Sequence, residues 1–263
     1  MVKHNKVKSE NGYFYPFQAI QQYNNITFRS IRSVKRSASY PKINTAAKAG
    51  KILSFIPWVK LVCVTGALAM ENVDETDDID LMVVTAKNRL WIVRPLAVLL
   101  VGIFFKRRKP SWSNKTYRTN LANTICLNLW LDELALKIPS SQRDLYSAHE
   151  LAQMKPIVNK GRTYERMMAE NAWGGKFLAN VWGGQQQTRQ ISQIRPAFAK
   201  GFVEARQISL ISSLNRLAFR LQLIYMQSKM TTERVSLHAA YFHPGNLADT
   251  ILTEYDNLRH RNF

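Results

Sequence analysis

Residues 60–85 read KLVCVTGALAMENVDETDDIDLMVVT, and the fold follows from how this stretch divides. Lys60–Thr65 and Ile79–Thr85 are short β-branched, apolar runs that predict two strands of a buried sheet. Gly66 stops the first and lets the chain turn tightly. Between them, residues 71–80 (ENVDETDDID) carry six acids and no base. Residues i and i+2 of a strand share a face, so Asp78 and Asp80 are expected to project together while Ile79, Leu81 and Val83 face the core. Two carboxylates so close repel strongly unless a cation lies between them. Mg²⁺ is commonly held by one or two carboxylates plus substrate phosphates, which makes the pair a candidate Mg²⁺–nucleotide site. A solvated acidic loop is the competing reading.

Working outward, residues 44–57 have helical spacing, ended by Pro57, and residues 89–105 predict an apolar helix kinked near Pro95. Residues 106–120 are polar, basic and turn-rich. Thr124–Leu131 (TICLNLWL) predicts a third strand, with Ile125, Leu127, Leu129 and Leu131 inward and Thr124, Cys126, Asn128 and Trp130 on the other face. Beyond Pro139 the spacing predicts helices over 143–155, 163–172, 198–229 and 247–258. Trp173-Gly174-Gly175 and Trp182-Gly183-Gly184 read as helix-terminating turns. The expected architecture is α+β. A basic arm over 1–40 precedes a small mixed sheet with flanking helices over 41–140, and a helical module covers 141–263.

The 263 residues include 37 basic and 18 acidic side chains, a net charge of +19 that calls for anionic partners. The charge is uneven. Residues 1–70 hold eleven bases and one acid, and residues 81–131 hold nine bases and no acid, so the acidic segment interrupts two basic stretches. An apolar content of 46% excludes disorder as a description of the whole. Cys63 and Cys126 are too few for a zinc cluster and suggest no disulfide framework, so a reducing cytoplasm is expected. No secretory signal is visible, and the longest apolar run, Leu96–Phe105, is half the length of a spanning helix.

A strand ending in glycine and a small residue, a ten-residue gap, then Asp-x-Asp on the next strand resembles the nucleotidyltransferase superfamily with the polymerase-beta-like fold. The resemblance covers about residues 44–132. Later pieces, DLYSAHE over 144–150, Tyr164-Glu165-Arg166 and Phe242-His243-Pro244, look like those of bacterial nucleotidyltransferase-domain proteins. The resemblance implies that Asp78 and Asp80 hold Mg²⁺ or Mn²⁺. It places Thr65, Gly66 and Ala67, through their backbone amides, at the β/γ-phosphates of an NTP such as ATP. An acceptor oxygen would attack the α-phosphorus and release pyrophosphate. Two positions depart from the pattern. Ala67 stands where a serine often follows the glycine, and Asn128 aligns with the third carboxylate, for which Asp132 is the possible substitute.

Lys87, Arg89 and Arg94 follow the Asp-x-Asp strand closely enough to reach a triphosphate, or they are ordinary solvated bases. Lys106–Lys109 and Lys115–Arg118, interleaved with Trp112 and Tyr117, form a plain solvated basic loop or a nucleic-acid contact, for which the composition is suited to RNA. His149 beside Glu150 is a candidate base for the acceptor. His243, Trp173 and Trp182 are expected to be structural. Two other functions fit the same residues: a catalytically impaired scaffold that binds nucleic acid, and a peripheral membrane protein held by residues 96–109.

Overall fold

The computed structural model describes residues 7–10, 13–16, 25–108, 121–183, 202–228, 230, 233–242 and 247–262. In chain order, a hairpin of β1 (Val7–Glu10) and β2 (Tyr13–Pro16) precedes α1 (Asn25–Ser54). Then come β3 (Val59–Val64), the single turn α2 (Gly66–Ala69), β4 (Ile79–Thr85), α3 (Leu90–Phe104) and β5 (Ile125–Asp132). The second half contributes α4 (Leu145–Gln153), β6 (Lys155–Asn159), α5 (Thr163–Glu170), α6 (Ala179–Gly183), α7 (Phe202–Gln227), β7 (Arg234–Val235), β8 (Ala239–Tyr241) and α8 (Leu247–Asn262).

The fold is α+β, built on a six-stranded mixed sheet of order β6-β3-β4-β5-β8-β7 with flanking helices. Only β4 and β5 run parallel; the other neighbours are antiparallel. Alternation sorts the side chains of the central strands onto two cores. Val62, Val64, Ile79, Leu81 and Val83 face α1, α3 and α7. Leu61, Cys63, Met82 and Val84 face Leu151 of α4 and Met167 of α5. Strand β4 is therefore buried on both sides beyond Asp80, which explains its otherwise nearly apolar IDLMVVT composition.

Three expectations need correction. The helix expected over 44–57 begins at Asn25, so much of the basic arm is helical and docked, with Ser39 and Lys42 buried. Strands β6, β7 and β8, drawn from a region expected to be helical, complete the main sheet. They are two to five residues long and mostly half-buried, too short to show a period-2 pattern.

The third correction concerns β5. Its pairing with β4 steps from Leu81↔Leu127 to Met82↔Leu129, so Asn128 is the extra residue of a bulge. The bulge resets the alternation. Ile125, Leu127 and Trp130 join the first core, whereas Leu129 and Leu131 join the second. Strict alternation would have put Leu129 and Leu131 with Ile125, and Trp130 opposite.

Candidate metal centre

The turn between β3 and β4 brings the two ends of the 65–80 segment together. The Thr65 amide donates to the Asp80 carbonyl at 3.1 Å. Gly66 follows at φ +61°, and a Cβ there would stand 3.1 Å from Asp80 Oδ2. Both facts require glycine: the left-handed conformation disfavours a side chain, and the carboxylate occupies the space a side chain would need. We expect Gly66→Ala to cost about 1–2 kcal/mol in backbone strain. It should also push Asp80 aside, so divalent-metal affinity measured by calorimetry should fall together with the thermal midpoint.

Asp78 and Asp80 do project together, and Cys126, which pairs with Asp80 across the β4–β5 ladder, joins them. One ligand atom from each lies within 4.8 Å of the other two. Asn128 also reaches the pair, its Nδ2 donating to Asp80 Oδ1 at 2.6 Å. Alternation already places Asn128 on the face of Cys126 and Asp80, and the bulge at Asn128 flips only the residues beyond it. Asp132 does not substitute. It pairs with Thr85 at the far end of β4, five residues from Asp80, or roughly 17 Å along the strand. There it accepts bonds from the Asn88 and Leu134 amides and lies 2.8 Å from His238 Nδ1, pinning the strand ends together.

The electrostatics are those of a carboxylate held out of water beside another. Burial and the neighbouring Asp78 raise the Asp80 carboxyl to about 7, against the opposing pull of Arg108, Cys126 and Asn128. Burial and Asp80 push the Cys126 thiol well above its ordinary range, so it is a neutral donor. Asp78 is partly compensated by Arg108, whose guanidinium lies 2.6 Å from its Oδ2. Arg108 is positioned by the backbone: Arg107 bridges to Ile125, and the Arg108 amide donates to the Ile125 carbonyl at 2.9 Å. Sequence reading had assigned this residue to a basic loop; nothing local to KRRK identifies the carboxylate it would meet.

This donor set fits a divalent cation. Two hard oxygen ligands converge, and burial beside Asp78 makes ionisation of Asp80 costly, a cost that a bound cation would offset. The high thiol pKa disfavours Cys126 as a ligand to Mg²⁺; a softer ion is the better match for a thiolate.

Three of the other four acids of the segment serve structure through their carboxylates. Glu71 pairs with Lys155 at 2.7 Å and Arg36 at 3.2 Å, and Asp74 meets Lys35 at 3.5 Å. Asp77 Oδ2 accepts the Asp74 amide at 2.8 Å, closing a local turn. Arg32 donates to the Met70 and Glu71 carbonyls. Lys42 donates to the carbonyls of Glu75 and Asp77 and to Asn123 Oδ1. The bases of α1 thus hold the acidic segment in place, and Lys42 is the residue that sequence reading missed.

Lys87 and Arg89 are not at the carboxylates. They follow Thr85 at the opposite end of β4; Lys87 is exposed, and Arg89 is buried against Trp58 while donating to the Lys87 and Asn88 carbonyls. Arg94 lies between α3 and α7, donating to Gln222 Oε1 at 2.8 Å and stacked on Phe242. Thr65 is buried and Ala67 exposed beside the turn. His149 is exposed on α4, and burial raises the carboxyl of its neighbour Glu150. Trp173 and Trp182 pack in the second core, where Trp182 sits so close to Gly174 that a Cβ there would be 2.5 Å from its ring. Lys109, Trp112, Lys115–Arg118 and His243 lie outside the described residues. No protein-family model matches the sequence, and no curated protein matches it.

Proposed function

We propose that the protein is a metal-dependent nucleotidyltransferase that moves a nucleoside monophosphate from an NTP to an acceptor hydroxyl or related oxygen, releasing pyrophosphate. The observation that carries this reading is the convergence of Asp78 and Asp80 beside a Gly66 turn that admits no side chain. In this reading Asp78 and Asp80 hold Mg²⁺ or Mn²⁺, which supplies charge neutralisation at the phosphates when bound. The Gly66–Ala67 backbone leaves an open approach for phosphate oxygens, since neither residue projects a bulky side chain. Asn128 fixes the Asp80 carboxylate by donating to it. Arg108, paired with Asp78 at 2.6 Å, is close enough that its guanidinium would meet an anionic substrate held at the carboxylates. Lys87 and Arg89 have no part in this site.

The absence of a carboxylate at the β5 position favours a second reading, in which the scaffold binds nucleic acid without turning over. Asn128 and the neutral Cys126 thiol occupy that place and supply no base. Incubating the full chain with each α-labelled NTP, Mg²⁺ or Mn²⁺, and total cellular RNA or protein separates the two. Nucleotidyl transfer predicts label on an acceptor, abolished by EDTA. Salt-sensitive RNA binding unchanged by EDTA, with no label transferred from any NTP, would establish the second reading instead.

A further inference from the structure

Helices α3 and α7 lie against each other over the first core, and their polarity is inverted at the outer surface. Two polar side chains of α7 face inward. Asn215 is fully buried and accepts the Trp91 amide at 2.9 Å, and Gln222 donates to the Trp91 carbonyl at 2.7 Å while accepting from Arg94. Its leucines face outward. Leu210, Leu214, Leu217, Leu221 and Ile224 recur at steps of four, three, four and three, and every one is more than half exposed. Helix α3 does the same. Leu90, Trp91, Val93, Ala97 and Val101 are buried, while Leu99, Ile103 and Phe104 on its other side are each at least 60% exposed. A helix at a water-facing surface normally presents the opposite arrangement. Two neighbouring helices that turn apolar rows outward indicate that the surface is covered by something apolar.

The surrounding charge selects what covers it. There is no acid in residues 81–131 or 205–232, and exposed Lys106, Arg216 and Arg220 border the apolar rows. A second copy of the chain would bring Arg216 and Arg220 against their own counterparts, with no acid between residues 205 and 232 to pair them. RNA would satisfy the bases and leave the leucines in water. Anionic lipid satisfies both, since acyl chains take the leucines and headgroups take the bases.

We propose that the outer face of α3 and α7 rests on an anionic membrane surface. Among the described residues no helix is long and apolar enough to cross a membrane, so the contact is interfacial. The row from Leu210 to Ile224 lies flat over about 21 Å of helix. This proposal is independent of the nucleotidyltransferase reading, because none of its residues belongs to the carboxylate site.

The test is flotation of the full chain with phosphatidylcholine vesicles and with vesicles containing about one-third phosphatidylglycerol, at low and at 0.5 M salt. The protein should float with the anionic vesicles and do so less as salt rises. The double variant Leu214→Glu/Leu221→Glu, whose changes lie on exposed positions, should reduce bound protein at least about tenfold. Its circular dichroism and thermal midpoint should stay those of the parent, which separates lost docking from lost folding. Failure of the parent chain to float, or flotation indifferent to the double variant, overturns the proposal. A dimer on gel filtration that the double variant dissociates, without flotation of the parent, identifies a second copy as the occupant and overturns it equally.

Discussion

Asp80→Asn should abolish metal-dependent turnover and, in the same protein, raise the thermal midpoint at pH 8 by about 8–15 °C. The two effects have one cause. Folding moves the Asp80 carboxyl from an ordinary carboxylate pKa up to about 7, mainly through burial and then through Asp78. A group whose pKa is raised by folding binds its proton more tightly in the folded state, so its full contribution to stability is present only below about pH 4. That contribution is lost progressively as pH rises to about 7, and above it the whole penalty stands, about 4 kcal/mol. Asparagine carries no charge at any pH and can still accept the Asn128 bond through its amide oxygen, so it removes the penalty. The advantage of the variant should therefore vanish at pH 4. Saturating Mg²⁺ or Mn²⁺ at pH 8 should stabilise the parent far more than the variant, which keeps Asp78 alone as a charged ligand. Loss of the metal ligand should cost roughly a thousandfold or more in turnover, corresponding to several kcal/mol of transition-state charge stabilisation. Differential scanning fluorimetry across pH, with and without metal, reads the stability half of the prediction directly. Equal metal stabilisation of both proteins would remove Asp80 from the site.

What the sequence disclosed about this site was local. Gly66 between two β-branched runs predicts the turn, and two aspartates at i and i+2 ahead of an apolar run predict a shared face; both sets of side chains meet in the structure. What it did not disclose depends on partners distant in the chain. The Arg108–Asp78 pair spans thirty residues and depends on Arg107 adding to the edge of β5, a pairing that leaves no mark in the composition of KRRK. The Asn128 bulge breaks a pattern that looked unbroken, because every residue that could flip sides, Leu127, Leu129, Trp130 or Leu131, is apolar enough for either core. Charge was the most misleading signal. The +19 balance suggested that bases flanking the acids await a triphosphate, yet Arg32, Lys35, Arg36 and Lys42 of α1 are engaged by the acidic segment itself, and Lys87 and Arg89 stand at the far end of the strand. Net charge records how many bases there are and nothing about which are already spent.

Lys42 shows how much of the site rests on those engaged bases, and Lys42→Met should unfold the protein more readily than any exposed substitution. The ammonium is 2% exposed and uses all three of its protons: Glu75 carbonyl at 2.9 Å, Asp77 carbonyl at 2.7 Å and Asn123 Oδ1 at 2.9 Å. Burial lowers its pKa, while Asp77, Asp78 and Glu75 hold it up. Methionine fills similar volume but donates nothing, so two carbonyls and an amide oxygen lose a charged partner in a place water reaches poorly. The expected loss is about 3–5 kcal/mol, the range for removing one side of a buried charged cluster. Lys35, on the same helix, offers the contrast. Its partner Asp74 is 61% exposed at 3.5 Å, and Lys35→Met should change stability by less than about 1 kcal/mol. Lys42 also ties residues 75–77 to Asn123, next to the start of β5, so its removal loosens the segment that ends in Asp78 and the strand that carries Cys126. Metal affinity should fall with stability in Lys42→Met, whereas in Asp80→Asn the two move in opposite directions. Urea unfolding of the three proteins, paired with metal titration of each, distinguishes a residue that builds the site from one that strains it. A Lys42→Met protein as stable as its parent would mean that the acidic segment holds its course without α1.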